Sequence, residues 1–423
     1  MNAEVERSIA AVWRIESAKI VAVVARMVRD VGLAEELAQD ALVSALEHWP
    51  QQGIPDKPGA WLTTTAKHAA LDRLRRDRVL QQKLEQIGLD LEAQEALIVP
   101  DFVDGLDAAR NDVIGDDLLR LMFTACHPVL SLDARLALTL KLLGGLSTQE
   151  IARAFLVPEA TMAQRIVRAK RTLGEAGVPF ELPPPQELGE RLGAVLEAVY
   201  LIFNEGYTAT AGEDWMRPAL ADEALRLGRM LAELAPSEPE AHGLVALMEL
   251  QASRMGARLD AEGRPVLLLD QDRSRWDGVL LRRGLAALER AARLQQPRGP
   301  YVLQAEIAAC HARAHVADST DWHAIAALYG ELAQVQPSPV VELNRAVAVG
   351  MADGPAAGLA LADALALEGK LDGYHWLPSV RADLLSKLGR VEEARAEFER
   401  AAAMTANGRE RELLLARARA LRS

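Results

Sequence analysis

Helical periodicity, with almost no strand-like alternation, is the feature that most constrains the fold of this chain. In "IESAKIVAVVARMVRD" and "LAEELAQDALVSALEHW", apolar residues recur at spacings of three and four, which places them on one face of a helix. Ala, Leu, Arg and Glu dominate the composition, whereas aromatic residues make up only 4% of it. Such a composition favours helices over sheets. We therefore predict an all-α protein.

Proline-rich breaks divide the chain of 423 residues into helical parts. The segment "PQQGIPDKPG" interrupts the first helices, and "PFELPPPQE" at 179–187 marks a domain boundary. The predicted parts are a first helical domain (1–83), a connector (84–117), a second helical domain (118–178) and a helical tail (188–423).

The cysteine content and the N-terminal sequence bear on the cellular compartment. Cys126 and Cys310 are the only cysteines, so neither a disulfide framework nor a paired-cysteine zinc site is formed, as is typical of a reducing cytosol. The first residues lack a basic region followed by an apolar core, so we expect no signal peptide. No apolar run reaches the ~18 residues that a membrane helix needs. We expect a soluble, cytoplasmic protein without a membrane contact.

Motifs for catalysis, cofactors and metals are missing from the sequence. Cys310, His311 and His315 lie close together on a helix, but no further thiol or carboxylate completes a metal site. Neither a phosphate-binding nor a dinucleotide-binding glycine motif occurs. We predict no enzyme activity, no metal and no cofactor.

Charge is strongly segregated along a chain whose formal net charge is -12. Ten acidic residues and one basic residue lie between positions 85 and 117, whereas bases dominate 61–78 and 151–171. Two positive helices that flank an acidic connector indicate a polyanionic partner bound at two places. The alternative is that these charges only solvate helix surfaces.

The first positive segment, "WLTTTAKHAALDRLRRDR" (61–78), has two distinct faces. At 100° per residue, an apolar side contains Leu62, Ala66, Ala69 and Ala70, and the opposite side contains Thr64, Lys67, His68, Arg75 and Arg78. Cations and short hydroxyl donors on one face suit contacts to phosphates and base edges. Trp61 at the start of the helix either stacks on an unpaired base or packs in the core.

The segment 144–173 has the pattern of a helix-turn-helix. Ser147 and Glu150 form a capping-box sequence that begins one helix, and Pro158 suits the first position of the next. In the second helix the apolar side contains Met162, Ile166, Ala169 and Leu173, and the polar side contains Thr161, Gln164, Arg165 and Arg168, with Arg171 at its edge. Such side chains suit a major groove. The alternative is an ordinary pair of packed helices.

The order and spacing of these segments resemble the extracytoplasmic-function sigma factors, the small two-domain class of bacterial RNA polymerase specificity subunits. Residues 34–49 resemble the helix of that family that binds core polymerase, residues 58–76 its minus-ten helix, and residues 136–173 its minus-thirty-five domain. The resemblance implies a sigma region 2 at 1–83 and a region 4 at 118–178. Together they would direct promoter-specific initiation, and the chemistry would remain with the polymerase.

The resemblance also assigns contacts residue by residue. Core RNA polymerase would be bound by Leu37, Asp40, Ala41 and Leu42. Minus-ten promoter DNA would be bound by Trp61, Thr64, Lys67, His68, Arg75, Arg76 and Arg78, and minus-thirty-five DNA by Thr161, Gln164, Arg165, Arg168 and Arg171. The acidic linker (84–117) would occupy the RNA path of the polymerase, and the alternative is a disordered spacer.

The tail shows a repeat of tetratricopeptide-like character, and "YLIFNEGYTATAG" (200–212) resembles a sigma-factor subgroup with such an extension. The segment 381–402 fits best, with Ala394, Phe398 and Ala401 in phase. Weaker copies contain Ala224, Gly228 and Leu231; Leu285, Glu289 and Ala292; Ile325, Tyr329 and Leu332; and Ala357, Leu361, Ala364 and Leu367. We expect the extension to regulate the sigma module by contacting that module or a protein or peptide partner.

A non-helical insertion interrupts the repeat at about 257–278. "LDAEGRP" within it predicts a turn between two short extended pieces, such as a small hairpin. The cluster Asp270, Asp272, Arg273, Arg275 and Trp276 is interpreted as an internal network of salt bridges, with an interaction site as the alternative.

Two other functions stay open from the sequence. A DNA-binding regulator with a repeat sensor domain needs only the helix-turn-helix at 144–173, and it would not replace sigma. A scaffold that does not bind DNA needs neither basic helix. Stoichiometric association with core polymerase distinguishes the sigma factor from both.

Overall fold

The computed structural model describes residues 3–87, 110–155, 157–208 and 215–421. Within these ranges the regular structure is helical, and a single isolated bridge, between Leu259 and Pro265, is the closest approach to a strand pair. The all-α prediction is confirmed. The chain divides into two compact units, Met1–Ala198 and Val199–Ser423.

Seven helices lie wholly in the first unit, and an eighth crosses into the second. They are α1 (Ala3–Val28), α2 (Val31–Gln52), α3 (Pro58–Ile87), α4 (Arg110–Ala125), α5 (Leu132–Leu142), α6 (Thr148–Ala154), α7 (Glu159–Glu175) and α8 (Leu188–Tyr207). The first helix packs against α2, α3 and α4, and α5 packs against α7.

Small and capping residues determine how these helices meet. Asp30 caps α2, because its side chain accepts a hydrogen bond from the backbone N–H of Leu33 at 2.9 Å. Gly145, in the loop after α5, has φ +64, and a Cβ at this position would lie 2.6 Å from Ser17 Oγ of α1. Only glycine meets both requirements without strain, so this loop can pack directly on the first helix.

Both ends of the predicted connector (84–117) are helical, since α3 continues to Ile87 and α4 begins at Arg110. The part from 88 to 109 lies outside the described residues. Asp117, which the charge count placed in the connector, is instead fully buried. Its carboxylate pairs with Arg26 of α1 at 3.2 Å and with Arg120 at 2.7 Å. Because a buried carboxylate needs such partners, Asp117 belongs to the packed interior and not to an acidic linker.

The second unit continues as helices that pack in chain order. They are α9 (Pro218–Leu234), α10 (Pro239–Ala252), α11 (Gly278–Arg293), α12 (Pro300–Arg313), α13 (Trp322–Val335), α14 (Pro339–Ala352), α15 (Pro355–Glu368), α16 (Trp376–Lys387), α17 (Val391–Met404) and α18 (Gly408–Ala420). Each contacts the next one along the chain. Proline begins five of them, where its missing N–H costs no hydrogen bond. Such packing is typical of a helical repeat.

The repeat copies identified in the sequence fall on every second helix, namely α9, α11, α13, α15 and α17. Their phase, meaning which positions of each helix face the interior, is confirmed on three helices. The buried residues include Ala224, Gly228 and Leu231 on α9, Ile325 and Leu332 on α13, and Ala394, Phe398 and Ala401 on α17.

The phase is wrong on α11 and α15. On α11 the predicted positions Glu289 and Ala292 are exposed, and Gly284, Ala287, Leu288 and Ala291 are buried instead. On α15 the predicted Ala364 and Leu367 are exposed, and Gly358, Leu359, Ala362 and Leu365 are buried. The α15 sequence, "PAAGLALADALALE", is apolar on all sides, so its pattern does not identify the buried face.

The insertion at 257–278 forms short 3-10 turns around the bridge between Leu259 and Pro265, so the predicted hairpin is reduced to one residue pair. The predicted network of salt bridges is wrong, because none of its aspartates forms an ion pair with its arginines among the described contacts. Arg273 instead donates to the carbonyl oxygens of His311 and Ala314 at 2.8 and 2.6 Å. Arg275 donates to the carbonyl oxygen of Gly256.

None of the described helices combines the length and the apolar character that crossing a membrane requires.

Two leucines on α15 test the corrected phase. Leu365 is 7% exposed and Leu367 is 90% exposed. Leu365→Ala should lower the free energy of unfolding by about 2–5 kcal/mol, because it leaves a cavity in the core. Leu367→Ala should change it by less than about 0.5 kcal/mol. Urea unfolding of the full chain, followed by circular dichroism, measures both variants, and equal effects would contradict the observed phase.

Candidate nucleic-acid interface

A cationic surface on α3, here called the α3 surface, comprises Thr64, Lys67, His68, Arg75, Arg76 and Arg78. All are exposed except Lys67, which is half-buried, and on the other side of the helix Leu62, Ala66 and Ala70 are buried. The predicted division of this helix into two faces is confirmed. The helix continues beyond this surface to Ile87.

Local contacts hold several of these side chains in place. Arg75 pairs with Asp72 at 3.6 Å, and Arg76 Nε donates to the backbone oxygen of Asp72 at 3.3 Å. Arg73 pairs with Asp77 at 3.1 Å. Exposed pairs of this kind contribute about 0–1 kcal/mol, so phosphate groups can readily replace the carboxylates.

Trp61 lies in the first turn of α3 and is partly packed against a buried ring. Its ring lies edge-on to Trp49 at 5.4 Å between centroids, and the ring of His48 is 6.5 Å away. Trp49 is buried, whereas Trp61 is only half-buried and His48 is exposed. A ring that is anchored on one face and open on the other is able to stack on an unpaired base.

The predicted helix-turn-helix is present as α6, a short turn and α7. The backbone N–H of Glu150 donates to Ser147 Oγ at 3.1 Å, and the N–H of Ser147 donates to the Glu150 carboxylate at 2.8 Å, so the capping box is confirmed. Pro158 lies one position before the first residue of α7, at the cap. The buried residues of α7 are Met162, Ile166, Ala169 and Leu173, as predicted.

The polar face of α7, here called the α7 surface, comprises Thr161, Gln164, Arg165, Arg168 and Arg171. All of these residues except Arg171 line a cleft of about 360 Å³ against α5, together with Ser131 and Asp133. Arg165 is half-buried, and its guanidinium pairs with Asp133 at 3.1 Å. Arg171 pairs with Glu175 at 3.4 Å, whereas Arg168 is exposed and has no ion pair within the described residues. Periodicity within α7 gave no sign of Asp133, because that residue belongs to another helix.

The four residues predicted to bind core polymerase lie on α2 but do not share a face. Leu37 and Ala41 are buried in the first unit, whereas Asp40 is exposed and Leu42 is half-buried. Sequence reasoning missed Val43 and Leu46, which are exposed apolar residues on the same helix at 51% and 38%. The accessible part of this surface therefore comprises Asp40, Leu42, Val43 and Leu46.

A buried carboxylate of α2 joins this helix to α5 and α7 within the first unit. Glu35 of α2 is 5% exposed, and it pairs with Lys141 of α5 at 3.6 Å and with Lys170 of α7. Gln39, one turn along α2, donates a further hydrogen bond to the Glu35 carboxylate. At the surface, Arg14 of α1 pairs with Glu150 of α6 at 3.3 Å. The helices before the connector and those after it therefore pack together.

Reactive groups are few in the part of the chain that the structure describes. No group of three or more His, Cys, Asp or Glu residues there is arranged to hold a metal ion. Burial raises the pKa of the Cys126 thiol to about 11, and the sulfur lies 3.2 Å from Thr139 Oγ1. A thiol with this pKa is protonated at neutral pH and is a poor nucleophile.

Three family models match the chain in separate segments. Residues 14–79 match sigma-70 region 2, residues 120–173 match sigma-70 region 4, and residues 191–292 match a family of unknown function, DUF6596. The α3 surface falls in the first match and the α7 surface in the second.

Two relatives extend this likeness. Protein R00370 of Rhizobium meliloti is 45% identical over 386 residues, which cover 91% of this chain and 89% of that protein. The probable ECF RNA polymerase sigma factor SigI of Mycobacterium tuberculosis is 28% identical over 178 residues, or 42% of this chain and 58% of SigI. No solved structure matches the chain significantly.

The fold and the two surfaces define a DNA-binding transcription regulator with an additional C-terminal helical extension. The chain belongs to the extracytoplasmic-function group of the sigma-70 family. It is a sigma factor for transcription initiation, a class that binds core RNA polymerase and promoter DNA and has no enzymatic activity of its own.

Loss of the Glu35 carboxylate should loosen the first unit. Glu35→Ala leaves Lys141 and Lys170 without their shared partner, which should cost about 3–5 kcal/mol of unfolding free energy. Its exposed neighbour Glu36 provides the control, because Glu36→Ala should cost less than about 0.5 kcal/mol. Urea unfolding followed by tryptophan fluorescence measures the difference, and similar values for the two variants would be inconsistent with a bridging carboxylate.

Proposed function

We propose that the α3 and α7 surfaces read two elements of one promoter while core polymerase performs the chemistry. The α3 surface binds the minus-ten element, where cations hold the phosphates and Trp61 stacks on a base exposed by melting. Flipping and unstacking a base costs a few kcal/mol, which these contacts must offset. The observation that supports this division of roles is that both exposed cationic faces lie inside the matched sigma regions.

The α7 surface docks in the major groove of the minus-thirty-five element. Arg168 is available for a base or a phosphate, and Arg165 exchanges Asp133 for DNA. Thr161 and Gln164 are exposed on the same face, and both are residue types that can hydrogen-bond with base edges.

The two DNA contacts require the first unit to open. Elements named for positions minus ten and minus thirty-five lie about 25 base pairs apart, or roughly 85 Å at ~3.4 Å per base pair. A compact unit of this size has a radius of gyration of about 16 Å and hence a diameter of roughly 40–45 Å. Both surfaces therefore engage one promoter only after the contacts of Glu35 with Lys141 and Lys170 break.

Core polymerase would drive this opening through α2. Asp40 and Leu42, together with Val43 and Leu46, supply the contact in the compact state. Leu37 and Ala41 join it once the buried side of α2 is released. On this proposal region 2 comprises residues 1–83 and region 4 comprises residues 118–178, and the intervening acidic segment avoids DNA and suits a cationic channel of the polymerase.

The C-terminal extension regulates this cycle. Residues 188–423 have the consecutive helix packing of a tetratricopeptide-like array, and a concave array surface suits a protein or peptide segment. Binding of this partner would be the signal through which the extension regulates the sigma module. The whole protein would act in the cytoplasm.

Arg168→Ala should weaken binding of the holoenzyme to the upstream element by about 1–3 kcal/mol if the guanidinium makes a bidentate contact to guanine. The control is Arg293→Ala, which removes an exposed arginine of α11. Gel-shift titration of the reconstituted holoenzyme on a genomic promoter fragment measures both variants. Equal affinities of the two variants would show that Arg168 makes no such contact.

Transcription from a bare template tests the function as a whole. The purified chain, added to bacterial core polymerase, should select discrete start sites that core enzyme alone does not use. A DNA-binding regulator would instead bind promoter fragments without stoichiometric association with core polymerase. Failure to confer start-site selection on any promoter of a genomic template library would refute the sigma-factor assignment for this chain.

A truncation tests the regulatory role of the extension. The helix α8 carries Arg191, which donates to the carbonyl oxygen of Phe123 at 2.9 Å, and Glu197, which pairs with Arg135 at 3.2 Å. The truncated chain should therefore end after residue 207 and not at 188. We expect it to retain core binding and to change promoter output in vivo. Unchanged output under inducing and non-inducing conditions would contradict a regulatory extension.

A further inference from the structure

Three arginines of the second unit, here called the arginine cluster, lie together around two aromatic rings. The guanidiniums of Arg254 and Arg258 lie 5.8 and 3.7 Å from the ring centroid of Tyr207. Those of Arg254 and Arg273 lie 5.8 and 5.2 Å from the centroid of Trp276. Arg254 is therefore the central member, and within the described residues none of the three forms an ion pair with a carboxylate.

The two outer members donate hydrogen bonds to neutral oxygens. Arg258 donates to the carbonyl oxygen of Tyr207 and, at 2.8 Å, to Thr208 Oγ1. Arg273 donates to two backbone carbonyl oxygens of the helical array and to Thr320 Oγ1 at 3.0 Å. Burial, with a further contribution from the charge of Arg254, lowers the pKa of both side chains. The outer arginines thus stabilise the insertion, and their positive charge is not neutralised.

The central member differs because Arg254 lines a cavity. Its Nε, like that of Arg273, is buried without a hydrogen-bond partner. The cavity has a volume of about 180 Å³. Its polar lining consists of Arg254, Gln251, Gln304, His311 and Tyr329, and its apolar lining consists of Leu247, Leu268, Ile307 and Ala308. Carboxylates are absent from this lining, so the charge of Arg254 meets no opposite charge there.

The other polar groups of the cavity can donate hydrogen bonds. His311 is 8% exposed, and its Nδ1 is buried without a partner. Burial, together with Arg254 and Arg273, lowers the pKa of His311 to about 4, so the ring is neutral at pH 7 and carries one N–H. Burial raises the pKa of Tyr329 to about 12, so its hydroxyl keeps its proton. A cation and neutral donors thus converge on one small space.

We propose that this cavity binds a small oxyanion, either a phosphate or the carboxylate of a small organic acid, with Arg254 as its principal ligand. Arg254 is half-buried and has no counter-charge in the cavity lining, and an oxyanion that accepts two parallel hydrogen bonds from its guanidinium would supply one. The volume lies below the about 300–1,000 Å³ typical of pockets for drug-sized ligands, so the anion has few heavy atoms. Bound there, it would connect the insertion to α10, α12 and α13.

Titration of the full chain with two anions tests the proposal. Sodium phosphate and sodium acetate are compared with sodium chloride at constant ionic strength, and the midpoint of thermal unfolding is measured. A ligand that binds the folded state raises this midpoint in a saturable manner. Because the DNA-binding surfaces also attract anions, the decisive quantity is the difference between the wild type and Arg254→Met. Arg293→Met removes an exposed, paired arginine of the same unit and serves as the matched control.

We expect phosphate, acetate or both to stabilise the wild type and Arg293→Met, with at least a fivefold loss of apparent affinity in Arg254→Met. Stabilisation by phosphate alone identifies a phosphate site, and stabilisation by acetate alone a carboxylate site. The imidazole NMR signal of His311, assigned with His311→Gln, should move with the stabilising anion only when Arg254 is present. No saturable shift in the wild type, or the same shift in Arg254→Met, would overturn the proposal.

Discussion

The first unit depends on the placement of the Glu35 carboxylate between two lysines. Removing a carboxylate from water costs several kcal/mol, and only partners that are themselves held in place recover this cost. Lys141 and Lys170 meet this condition, because each lies on a helix packed within the same unit. The contact thereby specifies how the helices before the connector meet those after it. A purely apolar contact of similar area would be less specific about this register.

Because of this contact, the basic residues of α7 have different roles. Lys170 contributes to the positive charge of 151–171 in sequence, yet it faces Glu35 and serves the interior. Arg165 is turned toward Asp133, and Arg168 remains exposed. The α7 surface available to DNA is therefore smaller than the charge count of the segment indicates. The same holds for α3, where aspartates on the helix hold Arg73 and Arg75.

The sequence was sufficient to predict the buried face of a helix that has one apolar side. It was insufficient for a helix that is apolar all round or that has two apolar stripes. The buried side of α7 and the capping box before it were predicted residue by residue, because polar and apolar positions alternate there with a clear helical period. On α15 small and apolar residues surround the helix, so the predicted phase put Leu367 inside and the structure puts it outside. On α2 two apolar stripes exist, and the pattern could not tell which one, that of Leu37 or that of Val43, faces the core.

Long-range polar contacts were not predictable from local patterns. The partners of Glu35 lie on α5 and α7, and no periodicity connects them to α2. The insertion illustrates the same limit, since aspartates and arginines that are close in sequence suggested salt bridges. Backbone carbonyls of His311 and Ala314 bind Arg273 instead. A guanidinium has five donors in a fixed fork, so carbonyl oxygens at helix ends, which lack partners within the helix, compete well with nearby carboxylates.

The two units use arginine in opposite ways, and solvent exposure determines the difference. On the α3 and α7 surfaces the cations are hydrated and screened, so each contact is weak and only several together hold a polyanion, with an affinity that falls as salt rises. In the arginine cluster Arg258 is buried and Arg254 and Arg273 are half-buried, and aromatic rings and carbonyl dipoles lower the cost of this burial without neutralising the cations. A single small anion can then supply the counter-charge that many phosphates supply at the surface. Because salt screens charges much less in a partly buried cavity than at the surface, occupancy there would respond to the concentration of one chemical species and less to ionic strength.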